Sequence, residues 1–120
     1  MPRYVDGFLL PVPTKNLAAY RKLARAAAKV WREHGALDYK ECIGDDMTPK
    51  FGVPFPKQMK LRDGETAVFA WIVYRSRRDR DRVNAAVMKD PRLAKMGDVK
   101  SMPFDVRRMV YGGFEVLVEL

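Results

Sequence analysis

The stretch Thr66–Arg75 constrains the fold more than any other part of this chain. It is apolar on both parities: Val68, Ala70, Ile72 and Tyr74 alternate with Ala67, Phe69, Trp71 and Val73. Successive side chains of a strand point to opposite faces, so a strand of this kind needs cover above and below. The rest of the chain must therefore supply two layers of cover, or another molecule must supply one of them.

The remaining segments punctuate clearly. Arg3–Val12 reads as a first strand, stopped by Pro11 and Pro13, because proline cannot donate to a ladder. Thr14 or Asn16 can cap the helix that follows. Leu17, Tyr20, Leu23, Ala24, Ala27, Val30 and Trp31 recur at spacings of three and four, one apolar stripe on an alanine-rich helix ended by Gly35. Leu37–Asp46 reads as a second strand, and Met47–Pro56, with three prolines and a glycine, as a loop. Gln58–Leu61 can resume an extended path before the Asp63-Gly64 turn. Ser76 with Asp79 resembles a capping box for a second helix over 77–89, interrupted at Asp90-Pro91. Arg92–Met96 can add a short turn, and Arg107–Val118 is the last strand. Gly112-Gly113 inside that strand implies a bulge, a bend or a close backbone approach.

The order β-α-β-β-α-β predicts an α+β, ferredoxin-like domain spanning residues 1–120: a four-stranded antiparallel sheet. Right-handed crossovers place both helices on one face. The aliphatic set Val5, Gly7, Leu9, Val68, Ala70, Ile72, Val110, Phe114 and Val116 is assigned to the helix side. Tyr4, Asp6, Phe8, Tyr39, Glu41, Phe69, Trp71, Tyr111 and Glu115 are assigned to the open side. Soluble monomers seldom expose so large an apolar face, so the expected partner is a second copy, packed sheet to sheet as a homodimer.

Composition narrows the function classes. Hydrophobic residues make up 48% of the chain and charged residues 32%, which excludes a disordered chain. The formal net charge of +8 permits anionic partners, yet the basic residues are mixed with acids along the chain. Cys42 is the only cysteine, so no intrachain disulfide can form; its reading is a buried, inert thiol. No window reaches a membrane span and no signal peptide is recognisable, which favours a cytoplasmic protein.

Several motifs add a resemblance. Tyr4-Val-Asp-Gly-Phe8, Glu41-Cys42 with Asp45-Asp46, Phe69-Ala-Trp-Ile72, Asp90-Pro-Arg92, Met102-Pro-Phe-Asp105 and Arg108-Met-Val-Tyr-Gly-Gly-Phe114 together resemble the YbaA-like family. These are small bacterial proteins of unknown function. The resemblance covers nearly the whole chain and implies membership of the dimeric α/β-barrel superfamily. Relatives there include cofactor-free monooxygenases and small-molecule isomerases, with a pocket between sheet and helices or in the barrel interior. It supplies no catalytic residue to carry over.

Two functional readings follow. In the first, the protein binds or transforms a small molecule in a pocket of aromatics and carboxylates. Asp6, Glu41 and Glu115 are the candidate acids or bases, since a buried carboxylate has a raised pKa; Trp71 and Tyr111 are the candidate ligand contacts. The competing structural reading makes each carboxylate the rim partner of an arginine such as Arg108, and the aromatics plain core. In the second, the chain is an interaction or regulatory module that touches RNA through Arg75, Arg77 and Arg78 of the Arg75–Arg82 cluster. No RNA-binding aromatic motif accompanies those arginines, so a solvated face with local salt bridges is the default. His34, the single histidine, sits where a helix end favours a cation. One His and one Cys make no metal set, so neither metal nor cofactor is expected.

Overall fold

A computed structural model describes residues 1–120. Strand β1 (Tyr4–Pro13) leads into helix α1 (Leu17–Glu33) and strand β2 (Asp38–Ile43). A short helix α2 (Phe55–Met59) precedes β3 (Glu65–Tyr74). Helix α3 (Arg77–Met88) and the single turn α4 (Pro91–Ala94) then lead to β4 (Val110–Glu115). The sheet order is β2-β3-β1-β4, antiparallel throughout. This is the ferredoxin-like α+β arrangement the element order implies.

Local signals explain the boundaries. Gly35 takes a φ of +120° and ends α1, a conformation glycine adopts without a Cβ penalty. Ser76 Oγ accepts from the Asp79 backbone N–H at 3.1 Å and caps α3. Asn16 stands at the N-cap of α1 but does not cap it; its Nδ2 donates to the Pro103 carbonyl at 3.0 Å and ties α1 to the loop before β4. Where the sequence suggests a loop running into an extended segment, Phe55–Met59 is helical. Its N-cap is Pro54 and it carries Pro56 in its first turn, a place where the missing N–H costs nothing. β4 is shorter than Arg107–Val118, because Asp105 accepts from the Arg107 N–H at 3.1 Å and turns Val106–Arg108 into a 3-10 helix.

The register corrects the assignment of faces. Tyr4 pairs with Tyr74, Asp6 with Ile72 and Phe8 with Ala70; Tyr111 lies opposite Phe8 and Phe114 opposite Val5. Directly opposed residues share a face. The helix side therefore carries Tyr4, Asp6, Phe8, Leu10, Tyr39, Glu41, Val68, Ala70, Ile72, Tyr74, Tyr111 and Glu115. The open side carries Val5, Gly7, Leu9, Phe69, Trp71, Val73, Val110 and Phe114. β3 is oriented as the sequence suggests, whereas β1, β2 and β4 are inverted. The physical reason lies in α1. Its inward positions include the small residues Ala24 and Ala27, so the bulk between the layers must come from the sheet.

Glycines in β4 leave the ladder unbroken from Tyr4–Glu115 to Leu9–Val110. Gly113 marks a close approach: a Cβ there would stand 2.7 Å from Tyr4 Cε2. The core between sheet and helices is split. One cluster gathers Tyr4, Val30, Ala36, Ile72, Tyr74, Val83 and Val87. The other gathers Leu10, Val12, Tyr20 and Val68, and Phe8 packs against both.

Candidate functional site

Between these two clusters lies a cavity of about 290 Å³. Its floor is the sheet, at Phe8, Leu10, Ala70 and Ile72. Leu23, Ala24, Ala27 and Trp31 of α1 form one wall, and Leu93, Met96, Met102, Phe104 and Met109 form another. The small side chains of Ala24, Ala27 and Ala70 leave this space open. Trp31, in the α1 wall, donates from Nε1 to Asn84 Oδ1 at 3.0 Å.

Glu41 is the only charged side chain in the lining. β2 places Tyr39 and Glu41 on one face because they are two positions apart. α1 brings Tyr20 down onto them. Tyr20 Oη donates to Glu41 Oε1, and Tyr39 Oη donates to Glu41 Oε2 at 3.0 Å. Burial, reinforced by the adjacent carboxylate, pushes both phenols above their ordinary range, so both stay protonated donors. The Tyr20 ring is braced edge-on by Phe104, and Tyr39 leans on Trp31. A larger outer groove of about 720 Å³ along α1 and β2 shares Tyr20, Ala24, Tyr39 and Glu41, and adds Arg21, Arg25 and Lys40.

The other candidate residues are dispersed. Asp6 is buried, away from the cavity lining, under α3, with Arg80 Nη1 3.8 Å from its carboxylate. Burial raises its pKa and Arg80 opposes the rise. Arg80 also donates to Tyr4 Oη at 3.2 Å and lies over the Tyr4 ring. Glu115 is exposed at the sheet edge. Trp71 lies on the open face beside Phe69, and Tyr111 is 68% exposed, stacked on Phe8. Arg108 pairs with Glu65 rather than with any of the three candidate carboxylates, through two bonds of 2.6 and 3.0 Å.

Arg75, Arg77 and Arg78 are exposed at the start of α3, while Arg80 and Arg82 are held by Asp6, Asp81 and Asp79. His34 Nε2 lies 2.7 Å from Asp90 Oδ2 and links the end of α1 to the cap of α4. Cys42 is exposed rather than buried, because β2 is an edge strand and Cys42 points to the open side opposite Phe69. Of the residues singled out in the sequence, only Glu41 reaches the cavity. Tyr20, Phe104 and the three methionines are added by the structure. A tyrosine within an alanine-rich stripe was the one visible sign of Tyr20.

Sheet order and helix placement define a ferredoxin-like protein with a lined gap between its layers. The chain belongs to the DUF1428 family, proteins of unknown function, whose pattern matches residues 3–106. It is 42% identical over 117 residues to the uncharacterized protein YbaA of Escherichia coli K12, covering 98% of each chain, and to YbaA of Shigella flexneri to the same extent. Among solved structures, a dimeric ferredoxin-like protein from an uncultured marine organism matches all of both chains, with a TM-score of 0.58 and 12% identity; this likeness concerns the fold alone. No helix is long and apolar enough to cross a membrane.

Proposed function

We propose that this protein binds a small, mostly apolar molecule in the cavity between its sheet and α1, and that it does so as a homodimer paired through the open sheet faces. The observation that carries the first part is the cavity itself. It opens from between the sheet and the helices, approaches the size of ordinary ligand sites, and is apolar except for one carboxylate fixed by two tyrosines. A half-open gap with apolar walls leaves those walls short of packing partners, and a guest restores them.

The second part rests on the open face, where Phe69, Val110 and Phe114 remain 46%, 60% and 62% exposed. Only 15 of 120 residues are buried, a small core for a chain of this length, as expected of half an assembly. The marine ferredoxin-like protein of the same fold is itself dimeric. The arginine reading has weaker support: Arg75, Arg77 and Arg78 are exposed, but no stacking platform for bases accompanies them.

Native mass spectrometry of freshly purified protein tests the binding. The expected result is a co-purified mass that Ala27→Phe, which fills the cavity, removes. A protein that carries no such mass, and whose cavity methyl resonances no member of a fragment library moves, overturns it.

A further inference from the structure

We infer that the cavity selects ligands whose polar head donates hydrogen bonds or carries a positive charge, an amine or a hydroxyl on a ring-sized apolar body, and that Glu41 reads this head. The inference rests on the cavity being a binding site, as proposed above. Its basis is an inventory of the lining. Fifteen of the seventeen lining residues are hydrophobic, and Glu41 is the only one with a formal charge. The polar atoms at the wall are all committed in one sense. Tyr20 and Tyr39 spend their hydroxyl protons on Glu41, and Trp31 spends its N–H on Asn84. No side chain in the lining keeps a proton to donate to a ligand.

Acceptor capacity does remain. A carboxylate has about four lone-pair directions, and the two tyrosines use one on each oxygen. Those tyrosines hold the carboxylate in place before any ligand arrives, so little ordering is needed on binding. An ammonium meets an opposite charge in a site walled by hydrocarbon. A hydroxyl meets a good acceptor. A carboxylate meets a like charge and no side-chain donor, which costs it both Coulomb energy and its lost hydration. Met96, Met102 and Met109 on the opposite wall adapt to the shape of the body, since methionine is flexible and polarizable.

One feature competes. The outer groove that shares Glu41 also carries Arg21, Arg25 and Lys40. An amphiphile with an anionic head could rest there with its tail inward.

Three probes of one shape separate these cases: 2-phenylethylammonium, 2-phenylethanol and phenylacetate. Each is titrated into full-length protein carrying methionines labelled with carbon-13 at the methyl group, which reports directly on the cavity wall. The ammonium is expected to bind most tightly, the alcohol next, and phenylacetate at least about a hundredfold more weakly than the ammonium. In Glu41→Gln, whose amide oxygen still accepts from a tyrosine, the ammonium should fall to within about threefold of the alcohol. The methionine methyl spectrum and circular dichroism of unliganded Glu41→Gln, compared with wild type, guard against a folding defect in that variant. Phenylacetate binding as tightly as the ammonium, or a preference unchanged in a folded Glu41→Gln, overturns the selectivity and leaves the cavity as a binding site. If none of the three moves a cavity methyl at millimolar concentration while other fragments do, the selectivity fails alone; if no fragment does and no mass co-purifies, the binding reading fails with it.

Discussion

Replacing Phe69 with aspartate tests the pairing of two open faces most directly. Phe69 is central on β3, flanked by Trp71 and opposed by Leu9 and Cys42. Full burial of a phenylalanine is worth about 1.5–3 kcal/mol. Since 46% of Phe69 is still exposed, a partner gains about 1 kcal/mol from covering the remainder. A twofold interface contains the residue twice, so losing it removes about 2 kcal/mol. Each aspartate then brings a carboxylate into a desolvated surface without a donor, at a cost of about 1–3 kcal/mol apiece. The sum is about 4–8 kcal/mol, a loss of about a thousandfold or more in dimer affinity. Sedimentation velocity across a concentration series measures this, with circular dichroism to confirm that the protomer is folded. Met88→Asp serves as the control, because Met88 is also an exposed hydrophobic residue (62%) but lies on α3 in the other layer. A wild-type protein that sediments as a monomer at micromolar concentration, or a folded Phe69→Asp that dimerises as well as wild type, refutes the reasoning.

Gly113→Ala should destabilise the protein by about 1–3 kcal/mol, because the new methyl meets the Tyr4 ring that Arg80 pins in place; Gly112→Ala, with its nearest neighbour at 3.9 Å, should be close to neutral in the same denaturant titration. Glu65→Gln should cost about 1–3 kcal/mol at pH 7, since Glu65 and Arg108 are largely buried side chains joined by two bonds. The Arg108 hydrogen bonds depress the Glu65 pKa, so the stability it contributes is present above the unfolded value near 4.3 and lost as pH falls through the lower folded value; the gap between variant and wild type should close in acid. Asp6 has the opposite sign: burial raises its folded pKa, so its contribution is fully present below the unfolded value near 3.9 and is lost as pH rises through the folded one. Asp6→Ala should still cost about 1–3 kcal/mol, since it leaves Arg80 with Asp81 as its one carboxylate, and a double-mutant cycle with Arg80→Met measures how much of the loss runs through the Asp6–Arg80 pair.

The sequence carries the element order, and with it the topology, because hydrophobic period and turn residues are local signals. Ser76, Gly35 and Asp90-Pro91 place three boundaries within a residue or two for that reason. Which face each strand turns inward is not local. It depends on the register between strands, and a shift of one residue inverts it. β3 is apolar on both sides and gives no parity signal of its own, and matching Val5 and Leu9 to the helix side overlooked how little bulk Ala24 and Ala27 bring. The proline-rich loop hides α2, since Pro54 and Pro56 suit a helix start as well as a loop. The pairing of Tyr20 with Glu41 spans 21 positions and two elements. No pattern in the chain announces it; only the fold makes it.

Phe8 is the one side chain of β1 that leans on both halves of the divided interior. Each half is too small to be robust alone, so the stiffness of the molecule depends on how firmly they are joined. A guest seated beside Phe8 would touch both at once and act as a keystone. Its effect would then be read far from itself, in amide exchange slowed at the α3 end and the β2 end of the sheet together.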